Sequence, residues 1–421
     1  MDIRRFLTSV VIYAGTSAVA TAVPVLLLPL LTRVLSPADY GLVGLFLIYV
    51  NIATPLVGLG LNGALSVRYF QDDWDFNSYV NACVRITALL WLILSLAYLL
   101  LSPLLHSVAK MPTPWVLAAI CAAAANSVIL LRLAIWQAER RAAAFGATRI
   151  LQAFTDVGFS ILFVLAIWQS WQGRAFAMTL AFILVGLLCL RSLYRGGYIL
   201  RGLDGEAARD ALRFGVPLLP HLLGSLTLSF ADRLLVSNLL GLDALGTYMV
   251  AAQIGLVLNL VIVSVNRAFA PVLMRLLSKE DDAINARVVR LSYIYMIGIA
   301  MIAAPAAVVS PALVTWVAPP EFEPAAAVLP WIIAGTVFTA WYYTVTNYLF
   351  YAGRTGWLSL ATLVSAGVAV PSSIILIKAH GLVGAGQAYA LGQLVSFLVT
   401  FGFAIRAHPM PWIRAVPFAR S

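Results

Sequence analysis

The stretch that decides the fold is residues 291–320, LSYIYMIGIAMIAAPAAVVSPALVTWVAPP, which contains no Asp, Glu, Lys or Arg. A helix needs about 20 mostly apolar residues to cross the hydrocarbon core of a bilayer, and this stretch exceeds that length. Strands of a membrane barrel would instead be about 10 residues long and would alternate in polarity. The stretch therefore predicts a transmembrane helix.

Eleven further runs of at least sixteen residues also lack all four charged residue types. They are residues 6–32, 40–67, 86–109, 111–131, 157–173, 175–190, 214–231, 244–266, 324–353, 355–377 and 379–405. Of the 421 residues, 62% are hydrophobic and 10% are charged, whereas soluble domains have about 45–50% and about 25%. The sequence therefore predicts an all-α polytopic membrane protein of about 12 transmembrane helices. It excludes a single soluble domain, a disordered chain and a disulfide-stapled secreted domain.

The basic residues predict the orientation in the membrane. Of the 27 Lys and Arg residues, 21 fall on the side that carries both termini and four on the opposite side, while Arg85 and Arg233 lie near membrane depth. Because cytoplasmic loops retain an excess of Lys and Arg, both termini are expected to be cytoplasmic. The net charge of +10 then follows from topology, and no nucleic acid partner is expected.

A Gly-rich, charged central loop separates six spans from six. The predicted organisation is an N-terminal six-helix lobe, a cytoplasmic linker, a C-terminal six-helix lobe and a cytoplasmic tail, at residues 1–193, 194–212, 213–405 and 406–421. A faint repeat supports it, since LSPADYG at 35–41 and LGLDALG at 240–246 occupy equivalent places in the two halves. Equivalent halves around a central cavity are typical of transporters.

Polar residues at membrane depth are the strongest functional signal, because a charge in hydrocarbon is costly unless it faces water or a partner. Three spans carry polar residues at steps of three or four, which places them on one helical face. These stripes are Asn77, Asn81 and Arg85; Arg149, Gln152, Asp156 and Ser160; and His221, Ser225, Ser229 and Asp232. Additional amides occur in spans two and eight. They are Asn51, Asn62, Asn259 and Asn266.

Arginines near a cavity would suit an anionic substrate, because the planar guanidinium pairs well with phosphate. The predicted substrate-binding residues are Arg85, Arg132, Arg233, Arg267, Asn51, Asn62, Asn81, Asn259, Asn266 and His221. For arginines near span ends, a structural ion pair or snorkelling to the interface remains an alternative. Asp156 and Asp232 are predicted coupling residues, and Asp232 could equally form a local pair with Arg233.

No metal, cofactor or catalytic site is predicted. Cys83, Cys121 and Cys189 all fall in apolar spans, which indicates neither a disulfide framework nor a metal site. The acidic stretch 72–75, DDWD, imitates the metal-binding aspartates of a transferase. Its place in a charged cytoplasmic loop favours a solvated surface instead.

Several stretches resemble the Wzx-type oligosaccharide and polysaccharide flippases of the MOP exporter superfamily. They are LSPADYG at 35–41, residues 63–69, ADRLL at 231–235 with LLG at 239–241 and ALGTY at 244–248, and NRAFAP at 266–271. The resemblance extends over the whole chain in span number and spacing. It places Asp232, Arg233, Asn266 and Arg267 at family positions.

The resemblance implies two six-helix lobes that work by alternating access in a bacterial-type inner, or cytoplasmic, membrane. The implied substrate is an oligosaccharide on polyprenyl pyrophosphate, moved from the cytoplasmic to the outer leaflet for surface polysaccharide biosynthesis. Membrane lipid, a polysaccharide polymerase and glycosyltransferases are the implied partners.

Three alternatives remain open at this point: a multidrug or cation antiporter of the same superfamily, a membrane glycan polymerase or glycosyltransferase, and a scaffold. Drug-exporting relatives often carry an acid in the first span, and residues 6–32 contain none. Lipid II flippases of the superfamily usually have two further helices. A polymerase would need long outer loops, whereas the predicted outer loops are short. A transporter rather than an enzyme is therefore expected.

Overall fold

The computed structural model describes residues 15–16, 18–19, 22–23, 25–71, 75–202, 204–277 and 281–412. Within these ranges, the side chains of residues 106–108, 221, 227–228, 264, 267–272, 275, 282 and 355 are not described. The described chain is built of helices and contains no β-strand. The prediction of an all-α protein is therefore confirmed.

Twelve α-helices follow one another along the described residues. The first six are α1 (Leu28–Val34), α2 (Pro37–Gly58), α3 (Leu61–Arg68), α4 (Phe76–Ala109), α5 (Thr113–Ala138) and α6 (Ala142–Ile161). After a π-helical segment, Leu162–Ile167, come α7 (Trp171–Arg195), α8 (Gly205–Leu239), α9 (Leu242–Leu277) and α10 (Asp282–Val317). A 3-10 turn, Pro320–Phe322, precedes α11 (Ala325–Tyr351) and α12 (Thr355–Ala407).

Nine helices in the described ranges are long and apolar enough to cross a membrane, and the bent halves of α8 raise that number to ten. The halves of α8 are Gly205–Leu226 and Ser229–Leu239. Helix α12 contains two of the predicted spans, because Gly381 breaks it with φ 59° and ψ −134°. A positive φ of this kind favours glycine, which has no Cβ to clash. All twelve charge-free runs overlap a described helix, although 13 of the 27 residues of the run 6–32 lie outside the described residues.

Two aspartates fix the beginnings of membrane-spanning helices. Asp75 accepts hydrogen bonds from the backbone N–H groups of Asn77 and Ser78 at the start of α4, both at 3.3 Å. Asp281 does the same for Ala283 and Ile284 at the start of α10. The first turn of a helix has N–H groups without intrahelical partners, and these carboxylates satisfy them. A hydrogen bond from the Ser78 hydroxyl, with those from the backbone, lowers the pKa of Asp75.

Contacts divide the chain into two units. Unit 1 comprises the described residues up to Leu35 together with Leu42–Leu226, and unit 2 comprises Ser36–Gly41 together with the described residues from Thr227 onward. Helices α2 and α8 contribute to both units. The six-plus-six division at residues 194–212 stays a prediction.

The two heptapeptides noted as a faint repeat meet within unit 2. A Cβ atom on Gly246 would lie 1.8 Å from the backbone oxygen of Pro37, and one on Gly41 would lie 2.1 Å from that of Leu242. Only glycine permits this approach of backbone to backbone. Tyr40 adds a hydrogen bond of 2.6 Å to Gln253 on α9.

Candidate functional site

A polar cavity inside unit 2 is the best-formed candidate site. It has a volume of about 70 Å³ and is lined by residues of α8 and of both parts of α12. The polar lining residues are Asp232, Ser365, Ser373, Tyr389, Gln393 and Ser396. A space of this size holds water or a small cation, since one water needs about 10–15 Å³ of accessible volume.

Asp232 is the acidic group of this cavity, and its side chain is buried. Its carboxylate accepts hydrogen bonds from the Tyr248 hydroxyl at 2.5 Å and from the backbone N–H of Arg233 at 2.8 Å. An ionised carboxylate has about four acceptor positions, so Asp232 retains capacity for a ligand in the cavity. The arrangement therefore suits the binding of a small cation.

Arg233 provides the counter-charge. Its Nη1 atom lies 3.6 Å from the carboxylate of Asp232 and donates to the backbone oxygen of Ser229. The guanidinium carbon lies 5.4 Å from the centre of the Phe230 ring, within the range of a cation–π contact. The sequence left open whether Arg233 binds substrate or pairs with Asp232, and the structure contains the pair.

Helix α11 positions the α12 wall of the cavity. The Thr339 hydroxyl donates to Gln393 Oε1 at 3.1 Å, which orients the amide. A Cβ atom on Gly335 would lie 2.5 Å from the ring of Tyr389, so this glycine allows α11 and Tyr389 to pack closely. Sequence reasoning missed Tyr389 and Gln393, although the steps Ser365, Ala369, Ser373 and Tyr389, Gln393, Ser396 have helical spacing.

A second polar contact in unit 2 joins two amides. Asn347 Nδ2 donates to Asn266 Oδ1 at 3.0 Å, and Asn347 is buried. Asn259 has a buried Oδ1 without a hydrogen-bond partner in the described part of the chain. The side chains of Arg267 and His221, both predicted to bind substrate, lie outside the described residues.

In unit 1, the predicted pair Asn81 and Arg85 holds the linker. Arg85 Nη2 donates to the backbone oxygens of Leu200 at 2.8 Å and Arg201 at 3.0 Å. Asn81 donates to the oxygen of Gly202 at 2.6 Å and accepts from the N–H of Leu200 at 3.2 Å. These contacts show a positional role that residue spacing does not indicate, because the partners are main-chain groups 115 to 121 residues away.

A salt bridge fastens the far end of the linker. Arg68 donates to both carboxylate oxygens of Asp210, at 2.9 and 2.8 Å, and the Tyr79 hydroxyl donates to the same carboxylate at 3.0 Å. Hydrogen bonding to Asp210 raises the pKa of Arg68. The linker side chains Tyr198 and Ile199 pack against the core of unit 1. The linker is therefore a folded part of this unit rather than a free tether.

Arg132 lies in an aromatic site of unit 1. Its guanidinium carbon is 4.5 Å from the centre of the Trp136 ring and 5.5 Å from that of Tyr198. Nε donates to the Ser192 hydroxyl at 3.0 Å, and the buried Nη1 lacks a hydrogen-bond partner among the described residues. With 4% of its surface exposed, Arg132 is packed rather than snorkelling.

Asp156, the other predicted coupling residue, is in an ion pair. Arg174 donates to its two carboxylate oxygens at 2.5 and 3.0 Å, and to the Ser160 hydroxyl at 2.6 Å. Arg174 is 5% exposed in the first turn of α7, so the predicted coupling residue Asp156 has a buried cationic partner. A two-pronged contact between a carboxylate and a buried guanidinium is strong and geometrically specific, which suits a structural role.

The remaining predicted binding residues do not join these groups. Asn51 is exposed and donates to the backbone oxygen of Leu47 at 2.7 Å, a local bond within α2. Asn62 is half-buried on α3. In the ranges described, no group of three or more His, Cys, Asp or Glu residues could hold a metal ion. The predicted residues are thus distributed over several places rather than one.

The fold is similar to those of solved MOP superfamily transporters. An inward-facing multidrug resistance MATE family transporter of that superfamily matches with a TM-score of 0.77 at 15% identity, over 93% of this chain and 94% of that chain. The lipid II flippase MurJ, in an inward closed conformation, matches with a TM-score of 0.74 at 12% identity, over 96% and 89%. These matches confirm the predicted fold class of an all-α polytopic membrane protein.

The sequence is similar to that of a protein of the Lsg locus of Haemophilus influenzae. The two are 23% identical over 388 residues, which is 87% of this chain and 90% of that protein. The solved proteins of this fold are transporters and a flippase rather than enzymes, which agrees with the expectation from the sequence. The sequence model of the polysaccharide biosynthesis protein family matches residues 7–277, more than half of the 421 residues, and the chain belongs to that family.

Proposed function

We propose that the protein moves an oligosaccharide linked to polyprenyl pyrophosphate from the cytoplasmic to the outer leaflet of a bacterial inner membrane, with both termini cytoplasmic. The observation that carries the proposal is the combination of family and fold. The family is one of polysaccharide biosynthesis, and the fold is shared with a flippase of lipid II. Export would proceed by alternating access, in a pathway with glycosyltransferases and a polysaccharide polymerase.

In this proposal Asp232 is the coupling group. A buried carboxylate beside a small polar cavity binds a proton or a monovalent cation at a site where charge changes are costly unless compensated. Its partners Tyr248 and Arg233 are positioned by α9 and by α8 itself. Binding would change the charge inside unit 2, and that change supplies the free energy difference between two states of the transporter.

The predicted pyrophosphate-binding arginines have different roles in the proposal. Arg132 and Arg85 are engaged with aromatic rings and with the linker backbone. Arg85 remains exposed and so keeps donors for the substrate, whereas Arg132 stabilises unit 1. Asn266, Asn259 and Arg267 on α9 remain proposed contacts for the sugar or the pyrophosphate.

The experiment that tests the function uses a deletion strain and measures the amount and the leaflet of the lipid-linked glycan. The expected result is accumulation of complete repeat units in the cytoplasmic leaflet and loss of surface polymer, both reversed by the wild-type gene. Repeat units that reach the outer leaflet but stay unpolymerised would contradict the proposal and favour a polymerase.

Drug or cation export is the second candidate, because the fold is shared with a MATE transporter and Asp232 provides an acid within the membrane. Efflux of ethidium by cells with and without the gene separates the two. Ethidium efflux with unchanged lipid-linked glycan would favour drug export over the flippase.

A further inference from the structure

Unit 2 contains an apolar pocket of about 630 Å³, whose lining differs from the polar lining of the Asp232 cavity. Pockets that hold small ligands in proteins have volumes of about 300–1,000 Å³. The lining comes from α10, α11, α12 and the segment after α12. It consists of Tyr293, Met296, Ile297, Ala300, Met301, Ala304, Trp341, Phe397, Phe401 and Trp412.

The walls of this pocket are held in place by hydrogen bonds and ring contacts. Trp341 Nε1 donates to the backbone oxygen of Met296 at 3.0 Å, and the Tyr293 hydroxyl donates to that of Trp412 at 3.0 Å. The Phe401 and Trp412 rings lie 5.0 Å apart, and those of Phe397 and Phe401 stack at 5.7 Å. The pocket is therefore formed without a ligand, and binding would require little reordering of side chains.

The pocket has a deep wall and an open side. Met296, Phe397 and Trp412 are buried, while Met301 is 71% exposed and Ile297 is 43% exposed. Along α10, the lining residues recur at steps of three or four from Tyr293 to Ala304, so they form one face of the helix. A chain-like molecule can enter along this face from the side of the helix, which a hydrated sugar would not do in hydrocarbon.

Positive charge continues the same face towards the start of α10. Arg290 is exposed and lies three residues before Tyr293, hence one turn away on that face. Arg406 is exposed near the end of α12, where Trp412 closes the pocket. The Nε1 atom of Trp412 is buried and lacks a hydrogen-bond partner within the described ranges. In the proposed topology this end is cytoplasmic, so the head group of an apolar chain in the pocket would lie at the membrane face that carries Arg290 and Arg406.

We propose that this pocket binds the prenyl chain of the substrate in the cytoplasmic leaflet, with the pyrophosphate next to Arg290. The inference rests on the proposed function and adds the site at which the chain is held. In a bilayer the hydrophobic effect does not drive a lipid chain onto a helix, so selection depends on close packing against fixed walls. The aromatic wall of Trp341, Phe397 and Phe401 provides such packing, and the arginines select an anionic head group.

Native mass spectrometry of the full chain in detergent, titrated with geranylgeranyl pyrophosphate, measures the binding. Ala304→Trp fills the pocket, and Ala306→Trp makes the same change at an exposed position of α10 that does not line it. Both positions are exposed, so folding should be retained. Ala304→Trp should weaken binding about tenfold, which equals the loss of about ten carbon–carbon contacts, and Ala306→Trp should leave it unchanged.

The head group is tested with Arg290→Ala. This variant should weaken binding of geranylgeranyl pyrophosphate and leave binding of geranylgeraniol, which has the same chain without phosphate, unaltered. Oleoyl lysophosphatidic acid, an anionic lipid with a straight acyl chain, serves as the competing probe and should bind more weakly than the prenyl probe.

Equal binding to wild type and Ala304→Trp would overturn the assignment of the pocket, and so would tighter binding of the oleoyl lipid, which would make it a phospholipid site. Neither result changes the deletion-strain experiment, in which the leaflet of the lipid-linked glycan still tests the flippase function. A failure of the pocket is thus distinguishable from a failure of the proposed function.

Discussion

The two units differ in how they use charge inside the membrane. In unit 1, Arg174 contacts both carboxylate oxygens of Asp156 and also donates to the Ser160 hydroxyl. In unit 2, Asp232 has a weaker 3.6 Å contact with Arg233 and faces a cavity of about 70 Å³. Geometry of the first kind stabilises one state, because both carboxylate oxygens are already hydrogen-bonded by the same guanidinium. Geometry of the second kind leaves a carboxylate whose charge a ligand in the cavity can neutralise, as the proposed coupling role of Asp232 requires.

The largest effect on stability is expected at Asp156. Asp156→Ala would leave the buried guanidinium of Arg174 without its partner, and breaking a buried ion pair costs about 3–5 kcal/mol. The measurement is the thermal unfolding of the detergent-solubilised protein. Asp156→Ala with Arg174→Met removes both charges and should recover most of the loss. A single variant as stable as wild type would show that the pair in unit 1 is dispensable.

Asp232→Asn should instead abolish export and change stability little. The amide can still accept the hydrogen bond from Tyr248, but it carries no charge and cannot bind or release a proton. Surface polysaccharide and the leaflet of the lipid-linked glycan are measured in the complemented deletion strain, with protein amount checked in membranes. Tyr248→Phe, which keeps the acid, is the matched variant and should retain partial export. Full export by Asp232→Asn would remove the difference between the units.

A moderate effect is expected where unit 1 holds its linker. Arg68→Ala removes two hydrogen bonds to Asp210, and the partial exposure of both side chains limits the cost to about 1–2 kcal/mol. Cleavage of the detergent-solubilised protein by trypsin within residues 195–209 should become faster. Glu206→Ala, a change at an exposed residue of the same region, keeps every trypsin site and is the control for protein handling. An unchanged cleavage rate would mean that Tyr79 and Arg85 suffice to hold the linker.

The smallest effects compare the helix caps of the two units. Asp75→Ala and Asp281→Ala should each destabilise by about 1 kcal/mol, because each removes a side-chain acceptor from a helix N-terminus. Hydrogen bonds lower the pKa of Asp75, so its contribution is present at neutral pH and is lost as the pH falls through the lowered value. Unfolding at neutral and at acid pH measures both effects. A difference between wild type and Asp75→Ala that persists in acid would contradict this origin.

The charge-free runs predicted the helices well, because hydrocarbon excludes charged side chains and membrane-spanning segments therefore lack them. The runs 111–131 and 291–320, for example, lie almost wholly within α5 and α10, respectively. Capping by Asp75 and Asp281 is likewise local, since the donors are two and three residues away. Properties that depend on composition and short spacing could therefore be obtained without a structure.

Partners across helices could not be obtained in this way. Asp232 lines its cavity together with Tyr389 and Gln393 of α12. Arg85 donates hydrogen bonds to main-chain oxygens of the linker. Both sets depend on the rotation and axial position of packed helices, which many side-chain contacts decide together. The sequence correctly marked Asp232 and Arg85 as unusual, but it did not indicate what each side chain contacts.

The sequence by itself determined that the chain is a bundle of membrane-spanning helices, because apolar length and charge placement are physical requirements of a bilayer. It also placed glycine at positions 41 and 246, the residue type that the close backbone approach seen in the structure requires. Tertiary structure alone decided which charges are paired and which face a cavity, because distance between side chains far apart in sequence depends on helix packing. That difference separates Asp156 from Asp232, two carboxylates that look alike in the sequence.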